Sequence, residues 1–171
     1  MSVNEKLAAA LASAMLQLYE AIDSDNIKQQ VDSHGLDHFI HICALEAGAT
    51  GAIAGFGGLA FAALGVPASV INTVAQQFRV TMAVIYSKRG TVKPSFTDFL
   101  AIVGMSLGVE AGVTAGAEVT GAIAAEILVE LGAAEGGMMI PVVGAVIGGG
   151  ANYAFIRAIG GSLKRLSMKP A

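Results

Sequence analysis

Tryptophan is absent from the 171 residues, cysteine occurs once, and charged residues make up only 13% of the chain. Each shortage closes a class of function. A charged fraction this far below the roughly 25% of ordinary soluble domains does not suit a protein that coats nucleic acid by neutralising phosphates, so no nucleic-acid partner is expected. Disorder is excluded by a hydrophobic fraction of 54%. The lone Cys43 has no partner for an intrachain disulfide, which makes a cytoplasmic chain the simpler expectation. Without tryptophan there is no strong aromatic girdle to mark membrane interfaces. Catalytic signatures are missing as well: GxSxG, HExxH, CxxC and Walker A sequences do not occur. The glycine-rich stretches GGLAFAALG and GAVIGGGAN lack the Lys or the strand context of a phosphate cradle. No catalytic, cofactor-binding or metal-ligating residue is assigned from motifs, and no cofactor is expected.

What is abundant is small. Alanine and glycine together make 53 of the 171 residues, so much of the positive mean hydropathy of +0.67 comes from side chains that let helices approach closely. The formal net charge of -3 hides an alternation. Residues 1–46 carry two bases and seven acids, 47–98 four bases and one acid, 99–156 five acids and no base, and 157–171 four bases. Such blocks are expected to pair internally on folding. The last one, Arg157, Lys164, Arg165 and Lys169, follows an apolar run and is suited to touching anionic lipid.

Periodicity predicts helices throughout. Leu7, Leu11, Met15, Leu18 and Ile22 recur at helical spacing, which reads as an amphipathic helix and not as a signal peptide. A break at Asp23–Asp25 precedes a short polar helix or turn over 26–33; His34-Gly35 interrupts again, and a helix starts near Leu36. Residues 47–78 form a run of 32 without a charge, divided by glycines and Pro67. Pro67 suits a first helical turn, and Lys88, Arg89 and Gly90 form a C-terminal signature, so a helix is expected from about Pro67 to Ser87. After the 90–94 loop, with Ser95 or Thr97 as cap, one long helix is expected over 96–131. On it Gly104, Gly108, Gly112 and Gly116 would form a flat row. Glu110, Thr114, Glu118, Ala122, Glu126 and Glu130 would form an acidic row on the opposite side, either solvated or paired with Arg79 or the basic tail. A last apolar helix over 138–159, kinked near Pro141 and lined by Gly144, Gly148, Gly149 and Gly150, completes the set. The expected fold class is all-α, a single domain over 1–171 built as a compact bundle of five to seven helices with glycine-lined packing.

Two windows, 47–78 and 138–156, are long enough and uncharged enough to cross a bilayer. Their alanine and glycine contribute little insertion energy, and a helix apolar all round also fits a buried core. Spanning, reversible association with a membrane surface and a helical core away from lipid all stay open at this point.

All three histidines fall within HGLDHFIHIC, as His34, His38 and His41, beside Asp37. Their spacing places them on one helical face, but His34 and His41 would lie about 10 Å apart along a continuous helix, too far for one ion. A metal site would need His38, one neighbour and ligands from elsewhere. The alternatives are a proton-sensing cluster, since imidazole titrates near pH 6.5, or a polar helix face. Arg79 stands alone in a long apolar helix and is expected to be buried and paired with Glu46 or with a Glu of the long helix. Asn152 is expected to be a satisfied polar group between helices.

Two stretches carry a resemblance. GATGAIAGFGGLAFAALGVPASVINTVAQQFRVTMAVIYSKRG, residues 48–90, has a glycine-rich apolar segment, a proline, Gln77 to Arg79 in a helix and an aliphatic run ending in tyrosine and glycine. MIPVVGAVIGGGANYAFIRAIGGSLK, residues 139–164, has the order Pro, spaced glycines and Asn. Together they resemble the EcsC family of bacterial proteins. That resemblance implies a compact, helical, largely bacterial cytoplasmic domain, linked to membrane transport or secretion and without established catalytic residues; the expected location is cytoplasmic, peripheral to the inner face of the cell membrane. The stretch from Tyr86 to Gly90 is longer than the family pattern, and the histidine cluster has no counterpart in it. The expected role is that of a non-enzymatic, membrane-associated accessory protein, with a membrane surface, a membrane protein or a second copy as partner. The rivals are a metal-dependent hydrolase centred on His34, His38 and His41, and a soluble helical self-assembling protein.

Overall fold

The computed structural model describes residues 2–49, 65–109, 117–131 and 143–168. Among the described residues there are seven helices and no strand: α1 (Val3–Ala21), α2 (Ser24–His34), α3 (Leu36–Gly48), α4 (Ala68–Arg89), α5 (Phe96–Ser106), α6 (Ala117–Glu130) and α7 (Val143–Arg165). They pack as a compact all-α bundle.

Local chemistry sets most of the boundaries. Ser2 and Glu5 form a reciprocal capping box at the start of α1, and the Asp23 carboxylate accepts the Asn26 N–H at 2.9 Å to start α2. The polar helix expected over 26–33 is therefore two residues longer at its start. Gly35, at φ 85°, separates α2 from α3 where an L side chain would be strained. Pro67 lies immediately before α4, and Gly90 ends that helix in the left-handed region with its N–H on the Tyr86 carbonyl at 2.8 Å. Ser95 is the cap of α5, accepting the Asp98 N–H at 3.2 Å.

The single helix expected over 96–131 is not what forms. Gly108 adopts φ 74°, its N–H bonds the Met105 carbonyl at 3.2 Å, and the Val109 N–H reaches back to Gly104 at 2.9 Å. Those two bonds are a Schellman motif, in which a left-handed glycine closes off the last carbonyls of a helix. The same glycine that the four-residue spacing placed inside a helix thus ends α5, and a new helix, α6, begins at Ala117. Gly112, Gly116, Glu110 and Thr114 lie outside the described residues, as do the start of the last expected helix, Met138 to Pro141, and 50–64 of the long uncharged run. On α6, Glu118, Ala122 and Glu130 are exposed and Glu126 is half-buried, while Ile123, Ala124, Ile127 and Leu128 are buried. That part of the acidic row is a solvated face, and none of its three glutamates pairs with Arg79 or the basic tail among the described residues.

Helix α4 is the centre of the bundle. From Val70 to Ile85 every residue but Arg79 is buried, and α1, α2, α3, α5 and α7 all pack on it. The most extensive helix pair is α3 with α7, and α1 covers α6. On α1, Leu11, Met15, Leu18 and Ile22 are buried at the expected spacing. Phe78, Phe99, Phe96 and Tyr19 cluster where α4, α5 and α1 meet, with Phe78 and Phe99 edge to face at 4.8 Å and the Tyr19 hydroxyl on the Pro94 carbonyl.

Two glycines mediate close helix approach. A Cβ at Gly160 on α7 would stand 2.8 Å from the Cγ2 of Ile40 on α3, and one at Gly104 on α5 would stand 3.4 Å from Ile123 on α6. At Gly150 a Cβ would meet nothing within 4 Å among the described residues, so that glycine lines no contact with them.

Candidate functional site

Two polar arrangements interrupt this apolar body. The first is a buried ladder between α3 and α4. Asn72 donates to the Glu46 carbonyl at 2.8 Å, Gln76 donates to Asn72 at 3.4 Å, and Arg79 donates to Gln76 at 2.7 Å and to the Glu46 carboxylate. The guanidinium also lies 5.3 Å from the Phe39 ring centroid. Arg79 is thus paired, as expected, but only partly buried, and its partner is the acid at the other end of the uncharged run: Glu46 precedes it and Arg79 follows it. Asn152 of α7 donates to the Ala47 carbonyl at 3.4 Å, which makes it the satisfied interhelical group expected. Asn72 and Gln76 gave no signal in the sequence beyond being polar residues at positions that helical periodicity leaves ambiguous.

Gln77, next to the ladder on α4, takes no part in it. Its side chain is fully buried, and neither amide atom has a hydrogen-bond partner among the described residues. Leaving such a group unsatisfied costs about 1–3 kcal/mol. Replacing Gln77 with Met, similar in volume and without the amide, is expected to stabilise the protein by about 1–2 kcal/mol, read as a higher urea midpoint with an unchanged slope. An unchanged or lower midpoint would mean that the amide has a role in holding the fold.

Cys43 lies beside this ladder, and burial pushes its thiol up to about 12. It is a packing residue at neutral pH and not a nucleophile.

The second arrangement is at one end of the bundle, where the C-termini of α2, α4 and α7 meet the N-terminus of α3. Lys164 of α7 pairs with Asp37 of α3 at 2.5 Å. Together with the nearby Arg157, Lys164 holds the Asp37 carboxyl below the usual carboxylate range. Lys88 of α4 donates to the Lys164 and Leu166 carbonyls at 2.8 Å each, so a side chain of one helix terminus caps another. The Tyr86 hydroxyl donates to Asp32 at 2.9 Å, which raises the tyrosine, and Lys28 lies 6.0 Å from the Tyr86 ring. Lys88, Arg89, Lys164 and Arg165 lie in the last turns of α4 and α7 here, Lys28 lies by Tyr86 and Arg157 near Asp37, and the carboxylates that contact Tyr86 and Lys164 are Asp32 and Asp37. Over these groups alone, six cations less two anions leave a charge of +4 on a chain whose net charge is -3.

The internal pairing expected from the charge blocks is visible in these contacts: the acidic block 1–46 meets the basic block 47–98 through Glu46 and Arg79, and the terminal block through Asp37 and Lys164.

All three histidines are exposed. His34 and His38 stand at this cationic end with ring centroids 5.4 Å apart, while His41 turns toward α7, its Nδ1 3.2 Å from the Tyr153 hydroxyl. The chain breaks at Gly35 between His34 and His38, so the continuous helical face expected for the three is formed from two helices. No group of three or more His, Cys, Asp or Glu able to hold a metal ion occurs among the described residues. A shallow cleft of about 360 Å³ between α5, α6 and α7 is lined by Leu107, Glu130, Phe155 and Ile159, and Glu130 is the one ionisable residue among the described residues of its lining.

None of the helices is long and apolar enough, over the described residues, to cross a membrane. No family model matches the chain, no curated protein matches it, and no solved structure matches it.

Proposed function

We propose that this is a non-enzymatic accessory protein that docks reversibly on an anionic membrane surface through the end of the bundle formed by α4 and α7. The observation that carries this reading is the charge asymmetry. Arg157, Lys164 and Arg165 are exposed toward one end, where Lys88 ties the α4 and α7 termini together, while Glu118, Glu126 and Glu130 lie on α6. A planar anionic surface engages one end of such a molecule and leaves the acidic side in water; a flexible polyanion that wraps the chain would meet both. The EcsC-like stretches point toward the same class of role, in bacterial transport or secretion, as a resemblance only.

Vesicle flotation tests it. Binding is expected to vesicles containing about a third phosphatidylglycerol, not to neutral phosphatidylcholine, and to fall when salt is raised from 50 to 500 mM, because surface attraction of this kind is screened within a Debye length. Arg157 and Arg165 are exposed, and neither is in an ion pair among the described residues. Each is expected to contribute about 1 kcal/mol near the surface, so Arg157→Gln and Arg165→Gln should each weaken binding about fivefold. Equal binding to neutral vesicles, or preference for an oligonucleotide of matched charge, would overturn the reading.

A further inference from the structure

We propose that His34 and His38 make this docking surface proton-sensitive, so that attachment to anionic lipid strengthens as pH falls. The inference rests on the membrane-docking reading and adds its regulation. Both imidazoles are exposed at the cationic end, one closing α2 and one in the first turn of α3, and their rings are 5.4 Å apart. The charged and titratable groups around them are known from every helix packed there. Lys28 and Asp32 come from α2, and Asp37 from α3. Tyr86, Lys88 and Arg89 come from α4, and Tyr153, Arg157, Lys164 and Arg165 from α7. Asp32 and Asp37 are already engaged by Tyr86 and Lys164, so neither is left to take an imidazolium as its principal partner.

Protonating the two rings therefore adds to a surplus: the local charge rises from +4 to +6. A layer of lipid phosphates attracts the added charge, and linkage then requires reciprocity: protons favour binding, and binding favours proton uptake. Imidazole is the side chain whose charge changes between pH 5 and 8, which sets the window. His41 sits up the side of the bundle with its ring nitrogen on Tyr153, and its contribution is secondary.

The test uses the full chain and vesicles of phosphatidylglycerol in phosphatidylcholine, whose phosphodiester charge is constant across the range, at pH 7.5 and 5.5 and fixed salt. At about 1 kcal/mol for each cation added near the surface, wild-type binding is expected to tighten about 30-fold at the lower pH. The His34→Gln, His38→Gln double variant should show less than a threefold difference in binding between pH 7.5 and pH 5.5. Circular dichroism of the double variant at both pH values establishes that its fold is retained. His41→Gln should keep most of the pH response. Wild-type binding that is equal at both pH values would overturn the proton-sensing inference and leave the docking reading standing. A pH response that survives in the double variant would take the switch away from these two residues. No wild-type binding at either pH would overturn both.

Discussion

Replacing Gly160 with Leu is expected to destabilise the protein by about 3 kcal/mol, at the top of the range for overpacking a filled interior. The position is on α7 in the most extensive helix pair of the bundle, and even a Cβ would stand 2.8 Å from Ile40 Cγ2 and 3.2 Å from its Cδ1. Ile40 is 3% exposed and β-branched, so its Cγ2 cannot swing aside without leaving its preferred rotamer or moving the α3 backbone. Gly160→Ala sets two effects against each other. Alanine favours the helix by about 1 kcal/mol over glycine, and the clash opposes it. A double-mutant cycle separates them: in an Ile40→Ala background the alanine at 160 should become favourable, and a coupling energy near zero would show that the contact does not limit the approach of α3 and α7.

The second large effect concerns Arg79. Breaking a fully buried ion pair by removing one partner costs about 3–5 kcal/mol, but the two side chains here are 12% and 39% exposed. Water reaches Glu46 once Arg79 is gone and recovers part of the loss. The buried Gln76 amide loses the donor to its oxygen, and the guanidinium packing on Phe39 disappears. Arg79→Ala is expected to lower stability by about 2–3 kcal/mol for these reasons. Arg79→Met, which restores the packing and not the charge, should lose about half as much. Denaturant unfolding of both variants reads the difference, and an Arg79→Ala midpoint equal to wild type would show that the ladder contributes nothing to stability.

How much of this was legible in the sequence depended on whether a signal was local. The α1 stripe of Leu11, Met15, Leu18 and Ile22, the Pro67 start and Gly90 end of α4, and the break at Gly35 all rest on residues within a turn or two of one another. The Glu46 and Arg79 pair was also readable, although the two are 33 residues apart, because a lone charge in an apolar helix has few acids from which to draw a partner. What misled was glycine. The same residue type packs helices together at Gly160, ends a helix at Gly108 and does neither at Gly150, and a four-residue spacing does not say which. Only the neighbour across the interface decides that. The cationic end was half visible: Arg157, Lys164 and Arg165 stood out as a block, but nothing local to Lys28, Lys88 or Arg89 says that their helices finish beside it. That knowledge lives in the packing of α2 and α4 against α3 and α7.

The pairing of α3 with α7 also has a consequence for the order in which the molecule can be made. Their surface contacts join His41 to Tyr153 and Asp37 to Lys164, 112 and 127 residues apart along the chain. Synthesis at about 5–20 residues per second puts roughly 6 to 25 s between the emergence of α3 and that of the helix that covers it. For that interval the side of α3 that meets α7, with Ile40 at its centre, lacks its final neighbour. A fold whose closest helix approach joins elements so distant in sequence is completed late and reaches its native state slowly for an all-helical chain. A nascent molecule waiting for α7 presents apolar surface that the finished one hides, which makes this step the one at which aggregation and chaperone capture compete with folding.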